Sequence, residues 1–160
     1  IDTWKSDISV ERRTLVVMVG PPGSGKTTLS NYLCDRYSMK SISRDRIPSL
    51  SKRDKLFDRF TKDSTIRGIV IDDTNSLQKK RQHWTSKVDD TWNVVTLFIN
   101  IPKDVSFYLC HYRYMFPHTS YIPNVAIHSY YKYLEPPDTF YEYDEPFVKQ
   151  PIDFQHRFNW

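Results

Sequence analysis

Along the chain, apolar residues gather in short unbroken runs, and these alternate with charged stretches whose apolar positions recur at helical intervals. Thr14 to Val19 is the first run, rich in β-branched residues and ending at a Gly/Pro cluster. A strand buried on both faces reads this way, and such strands belong to parallel sheets flanked by helices. From Lys26 to Tyr37, Leu29, Tyr32 and Leu33 share one helical face, so a helix is expected after the glycines. A short strand is expected at Met39–Ser43, and a charged surface helix at Lys52–Asp63 with Leu56, Phe57 and Phe60 inward. Gly68–Ile71 reads as a second buried strand closed by Asp72-Asp73, Lys79–Lys87 as a polar helix, and Val94–Ile99 as a third strong strand. Asp104–Tyr114 and Pro123–Leu134 read as helices, the latter with proline at a first helical position. From Glu135 the chain is rich in proline and aromatics, and is expected to pack across the body as an extended tail. Alternation of strand and helix predicts an α/β domain of three layers around a parallel sheet, spanning residues 1–160 with 1–13 as a lead-in.

Composition narrows this picture only a little. At 160 residues, 26% charged and 39% apolar, the chain is about one globular domain in size. No apolar run approaches the roughly 20 residues of a membrane helix. The start, Ile1-Asp2-Thr3-Trp4-Lys5, has neither the pattern of a signal peptide nor an initiator Met, as expected of a piece of a longer intracellular chain, nuclear or cytoplasmic. Cys34 and Cys110 lack metal-ligand spacing and read as small core thiols. The five histidines show no such spacing either. A net charge of +4 favours a polyanionic partner without requiring one.

The strongest motif is Gly20-Pro21-Pro22-Gly23-Ser24-Gly25-Lys26-Thr27, which satisfies G-x-x-x-x-G-K-[ST] at every fixed position, with Thr28 next to it. Glycines at 20, 23 and 25 allow backbone dihedrals that turn successive N–H groups toward phosphate oxygens. The helix opening near Lys26 adds the positive end of its dipole. Lys26 is expected on the β- and γ-phosphates of a nucleoside triphosphate, ATP or GTP, and the Thr27 hydroxyl on Mg²⁺.

A P-loop identifies a donor, and the acceptor must be read elsewhere. Asp45, in Ser43-Arg44-Asp45-Arg46, follows the second strand and should emerge beside the cradle, where it can accept the proton of an alcohol. Its structural reading is a helix N-cap. Asp72 and Asp73, with Thr74 and Asn75, end the next strand, and either carboxylate can hold Mg²⁺ through water or orient an arginine. Capping the following helix is the alternative for this group. Arg113 is the candidate lid arginine, or else a charge complementing its helix dipole, and the loop from Tyr114 to Ser120, with Pro117 and His118, has the look of a lid. Tail aromatics Phe140, Tyr141, Tyr143, Phe158 and Trp160 are either packing or a platform for a base.

Taken together, these residues resemble the kinase domain of polynucleotide 5′-hydroxyl kinases, including that of the 5′-kinase/3′-phosphatase end-repair enzymes. The likeness runs from about Leu15 to Pro137. It rests on the P-loop, on Ser43-Arg44-Asp45, and on Ile71-Asp72-Asp73-Thr74-Asn75 with Arg81. It continues through Cys110-His111-Tyr112-Arg113, Ile122-Pro123-Asn124-Val125, Tyr130-Tyr131-Lys132 and Leu134-Glu135-Pro136-Pro137. The resemblance implies transfer of a γ-phosphate to the 5′-OH of DNA or RNA, with Asp45 as base and Arg44 near the acceptor. It also implies Lys26 and Thr27 on donor and metal, Asp73 organising the site and, with Thr74 and Asn75, contacting the acceptor, and Arg113 closing over the phosphates. The family's second lid arginine is replaced here by Pro117, followed by His118, and a further acceptor arginine has no counterpart after Arg46, leaving Arg46 as its substitute. The Asp-x-Asp-Gly-Thr phosphatase motif is absent, so kinase activity alone is expected, with any phosphatase or ligase on a further part of the polypeptide. Two other readings stay open: a kinase of a small-molecule alcohol, and a nucleotide-binding module with weak transferase activity.

Overall fold

The structure is a computed structural model that describes residues 12–116 and 121–142. Its elements follow in the order β1 (Thr14–Val19), α1 (Lys26–Tyr37), β2 (Met39–Ser43), α2 (Leu50–Lys62), β3 (Gly68–Asp72), α3 (Gln78–Thr85) and β4 (Asn93–Phe98). Two further helices, α4 (Lys103–Tyr114) and α5 (Asn124–Tyr133), precede a two-residue strand, β5 (Tyr141–Glu142).

The strands form one parallel sheet in the order β2-β3-β1-β4-β5. Strand β1 lies at its centre and every one of its residues is buried. Successive side chains of a strand point to opposite faces, and the core divides accordingly. Val16 and Met18 join Leu29 and Leu33 of α1 and Leu109 of α4 on one face. On the other, Leu15 and Val17 join Phe57 of α2 and Trp84 of α3. The result is the expected three-layer α/β arrangement. Among the described residues no helix is long and apolar enough to cross a membrane.

Chain order departs from sheet order at β1: the chain leaves for the outer strand β2, returns through β3, and then crosses to β4. A crevice opens at such a switch point, past the carboxyl ends of the strands. The P-loop, Arg44-Asp45-Arg46 and Asp72 to Asn75 all lie at the ends of β1, β2 and β3 on that edge. The tail differs from expectation, because Tyr141 and Glu142 add an edge strand beside Leu97 and Phe98. Phe140 packs edge-to-face on Phe98, so the described part of the tail serves packing. Pro117, His118, Thr119 and Ser120 of the expected lid, with Tyr143, Phe158 and Trp160, lie outside the described residues.

Candidate active site

The loop from Gly20 to Gly25 joins β1 to α1, and glycine is required there for two different reasons. Gly23 and Gly25 have φ of 76° and 86°, a left-handed conformation that an L side chain adopts only at a cost. Gly25 is also the N-cap of α1, so that helix begins by turning its free N–H groups into the loop. Gly20 has no such φ; a Cβ there would lie 3.0 Å from Ser24 Oγ and 3.1 Å from Ile99 Cβ, so its requirement is space. A Cβ on Gly23 would meet Cys110 Sγ at 2.7 Å.

Helix α4 therefore braces the loop from outside. Ser106, fully buried, donates its hydroxyl to Pro22 O at 2.8 Å, and one turn later Cys110 backs Gly23. Burial pushes the Cys110 thiol pKa up, against the fields of Arg113 and Lys26, which favour the thiolate. The Arg113 charge is thus felt at a residue touching the cradle, from the exposed last turn of α4.

Inside the cradle, Lys26 Nζ donates to Pro21 O at 2.7 Å and lies 3.4 Å from Ser24 Oγ. Its pKa is lowered to about 8, chiefly by desolvation, while Asp72, Asp73 and Asp45 act to raise it. Thr28 is exposed on the first turn of α1. Thr27, at the start of the same turn, donates its hydroxyl to Asp72 Oδ2 at 2.9 Å. The Asp72 carboxyl is pushed up by burial, against the Thr27 hydrogen bond and the fields of Lys26 and Arg46.

One hydroxyl and one carboxylate in contact, next to a nest of N–H groups, suit Mg²⁺, which takes few protein ligands and completes its shell with phosphate oxygens and water. No cluster of three or more His, Cys, Asp or Glu able to hold a metal occurs among the described residues. The glycine geometry likewise fits a chain of phosphates.

Asp72 and Asp73 divide between two neighbouring sites, as consecutive residues at a strand end should. Asp72 faces Thr27, while Asp73 Oδ2 lies 3.6 Å from Arg53 Nη1 and its Oδ1 accepts from Thr74 N at 2.7 Å. The capping alternative is excluded by the geometry: α3 is capped by Leu77 with no side-chain hydrogen bond, and neither aspartate reaches it. Thr74 contributes backbone, its carbonyl accepting from Gly20 N at 3.2 Å. Asn75, expected on the acceptor, turns inward instead. It is 1% exposed, holds φ of 44°, and donates its amide to Met18 O at 2.8 Å. Its amide nitrogen thereby ties the carboxyl end of β1 to the next loop, while its buried Oδ1 has no hydrogen-bond partner.

Asp45 sits in the exposed turn directly after β2. Capping is excluded here as well, because the N-cap of α2 is Ser49, whose hydroxyl accepts from Lys52 N. The field of Asp45 acts on both Lys26 and Asp72, so its carboxylate lies within electrostatic range of both. Arg44 and Arg46 flank it in the same turn. Arg46 acts on Asp72, whereas Arg44 lines a cleft of about 400 Å³ together with Arg53, Asp73, Lys79, Lys80 and His83.

That cleft holds the residues that sequence reading missed. Arg53 looked like one charge among many on a surface helix, yet it is only 7% exposed. The signal available was its position four residues before Phe57, on the same face of the helix. Arg81, quoted for the resemblance, proves to be a buried strut. It donates to Asn75 O, Ser76 O and Glu135 O at 2.8, 3.2 and 2.7 Å, fastening the segment before the two prolines to the loop after β3.

Comparison with known proteins accords with this architecture. Similar solved structures include a gluconokinase from Sinorhizobium meliloti 1021, with a TM-score of 0.58 at 14% identity over 92% of this chain and 88% of that one. A fungal RNA kinase aligns with a TM-score of 0.59 at 19% identity, over 86% and 78% of the two chains. A chain of the Pnkp1/Rnl/Hen1 RNA repair complex gives 0.63 at 20% identity, over 79% of this chain and 45% of that one. At these identities the likeness is one of fold. No curated protein sequence matches the chain. Residues 15–96, just over half of the 160, match the family described as AAA domain. With its glycine nest, its Lys26-Thr27 pair and its parallel sheet, the chain belongs to the AAA domain family and has the fold of a P-loop kinase.

Proposed function

We propose that this chain is a polynucleotide 5′-hydroxyl kinase, transferring the γ-phosphate of ATP or GTP to the 5′-OH end of DNA or RNA during end repair. The observation that carries the reading is the cationic cleft walled by Arg44, the chain neighbour of Asp45, with Arg53, Lys79 and Lys80. A P-loop kinase of a neutral alcohol has no use for such a wall, whereas a phosphodiester acceptor does.

In this reading each side chain of the site has a task. The donor triphosphate lies in the nest from Gly20 to Thr28, with Lys26 turning from Pro21 O to its terminal phosphates. Thr27 and Asp72 would hold Mg²⁺, which would supply charge neutralisation to the phosphates. Asp45 takes the proton of the incoming hydroxyl as that oxygen bonds to the γ-phosphorus. The bond from the γ-phosphorus to the β,γ-bridging oxygen breaks, and the nucleoside diphosphate leaves with the electron pair. Arg113 approaches along the end of α4 and stabilises the charge spread over the transferring oxygens. Activity of this kind belongs with an intracellular partner set, nuclear or cytoplasmic, and with a phosphatase or ligase acting on the other end of the break.

The same cleft volume also accommodates a small anionic alcohol, which keeps a metabolite kinase as the second reading. Labelled γ-phosphate from each triphosphate is offered to matched 5′-OH DNA and RNA oligonucleotides, to a nucleoside and to gluconate. Transfer to the oligonucleotides is expected. Label on gluconate alone would replace the proposal with the second reading, and tight triphosphate binding without transfer would leave a nucleotide-binding module.

A further inference from the structure

Pro21, Pro22, Gly23 and Ser24 form a β-turn, closed by Ser24 N donating to Pro21 O at 3.3 Å. Gly23, its third residue, has φ of 76°, and proline at the second position cannot take a positive φ, so the turn is of type II. Type I and type II turns differ by rotation of the peptide unit between the two central residues through about 150–170°. Here that unit joins Pro22 to Gly23. Proline at the second position suits either type, and glycine takes either sign of φ readily, so the local sequence leaves the choice nearly open.

The choice decides what the nest presents to a phosphate. A trans peptide carries its C=O and N–H on opposite sides. Ser106 of α4, fully buried, donates its hydroxyl to Pro22 O at 2.8 Å. With that carbonyl drawn outward to α4, the Gly23 N–H is turned to the opposite side, toward the interior of the loop. The other rotation would aim a carbonyl at phosphate oxygens, removing one donor and adding one repulsive dipole. Cys110 and Tyr131 interact with the same hydroxyl, and Tyr131 in turn donates to Ile101 O at 2.7 Å, so Ser106 is enclosed by α4 and α5 together.

We infer that Ser106 is a positioning residue of the donor site: its hydroxyl holds the Pro22–Gly23 peptide in the type II rotation, so that the Gly23 N–H faces the phosphates before they arrive. A bound triphosphate favours the same rotation, and the serine therefore acts by preorganisation, lowering the cost of binding. The latch also couples the nest to the helix whose last turn carries Arg113. Ser106 does this for any phosphate chain in the nest, whichever acceptor follows, so absence of transfer to a 5′-OH would leave this role standing.

Two measurements test this in wild type, in Ser106→Ala, which removes the donor, and in Ser106→Thr, which keeps it. The first is the backbone amide resonance of Gly23 in isotope-labelled, nucleotide-free protein. One sharp signal is expected in wild type and in Ser106→Thr. In Ser106→Ala, exchange between the two rotations on the microsecond to millisecond scale is expected to broaden or double it, and saturating triphosphate should restore a single signal. The second is calorimetric titration with a non-hydrolysable triphosphate. Affinity is expected to fall roughly 3- to 10-fold in Ser106→Ala, as for loss of one hydrogen bond, and to return to within about twofold in Ser106→Thr. Should Ser106→Ala fail to fold, Ser106→Cys, near in shape and only a weak donor, takes its place with the same expectations. A fall in Tm alone, with the Gly23 signal and the affinity both at their wild-type values, would overturn the assignment and leave Ser106 a packing residue.

Discussion

Replacing Gly23 with alanine tests how the cradle is built. At φ of 76° an alanine is strained by about 1–2 kcal/mol, and its Cβ would sit 2.7 Å from Cys110 Sγ. Cys110 cannot swing away freely, because it is 5% exposed on a helix latched to Pro22 through Ser106. Overpacking of this kind adds about 1–3 kcal/mol. The sum, roughly 2–5 kcal/mol, corresponds to a fall in Tm of roughly 5–15 °C for a chain of this size. Triphosphate affinity should drop at least about tenfold, since either the loop or α4 has to move. Cys110→Ala deletes the clashing atom and keeps the strain. The double variant is therefore expected to be more stable than the sum of the singles by about 1–2 kcal/mol, with part of the affinity restored. Thermal melts and titration with a fluorescent triphosphate read both quantities. Strict additivity, or a Gly23→Ala protein that melts and binds like wild type, would refute the packing of α4 on the loop.

Thr27→Val removes the hydroxyl bonded to Asp72 and should weaken the Mg²⁺ dependence of triphosphate binding by about tenfold or more, read by titrating Mg²⁺ at fixed nucleotide. Arg81→Met leaves Asn75 O, Ser76 O and Glu135 O without their donor and should cost roughly 2–4 kcal/mol in a denaturant melt, with no loss of metal affinity in the folded protein. The pH dependence has a definite sign. Lys26 grips phosphate as the ammonium, and its pKa is lowered to about 8 in the free protein, so kcat/KM for the donor should be level around neutral pH and fall as pH rises through about 8. Bound phosphates hold the proton on, so kcat should stay level to higher pH, and Lys26→Arg should shift the break upward out of range.

The fold was legible because buried parallel strands write themselves as unbroken apolar runs, and β1, β2 and α1 have the bounds expected for them. The edge strand β5 was not, since two residues hold too little pattern to separate a strand from a tail. The P-loop was equally legible, its spacing being dictated by the backbone geometry of the nest. What sequence could not resolve was direction. Asp72 and Asp73 are chemically identical neighbours, and only the pleat at the end of β3 sends one to Thr27 and the other to Arg53. Asn75 looked like an acceptor contact because it is polar and follows two carboxylates, yet a positive φ turned it inward. Arg53 was hidden for the opposite reason: charge at a helical position reads as solvent-facing until a carboxylate on another segment is seen to meet it.

The account turns on Asp45 standing between the glycine nest and the cationic cleft. Single-turnover transfer of labelled γ-phosphate to a 5′-OH oligonucleotide, compared between wild type and Asp45→Asn at saturating triphosphate, tests that placement most directly. Transfer is expected to slow by about 10²- to 10⁴-fold with triphosphate affinity unchanged within about threefold. An Asp45→Asn protein that transfers at the wild-type rate would contradict it.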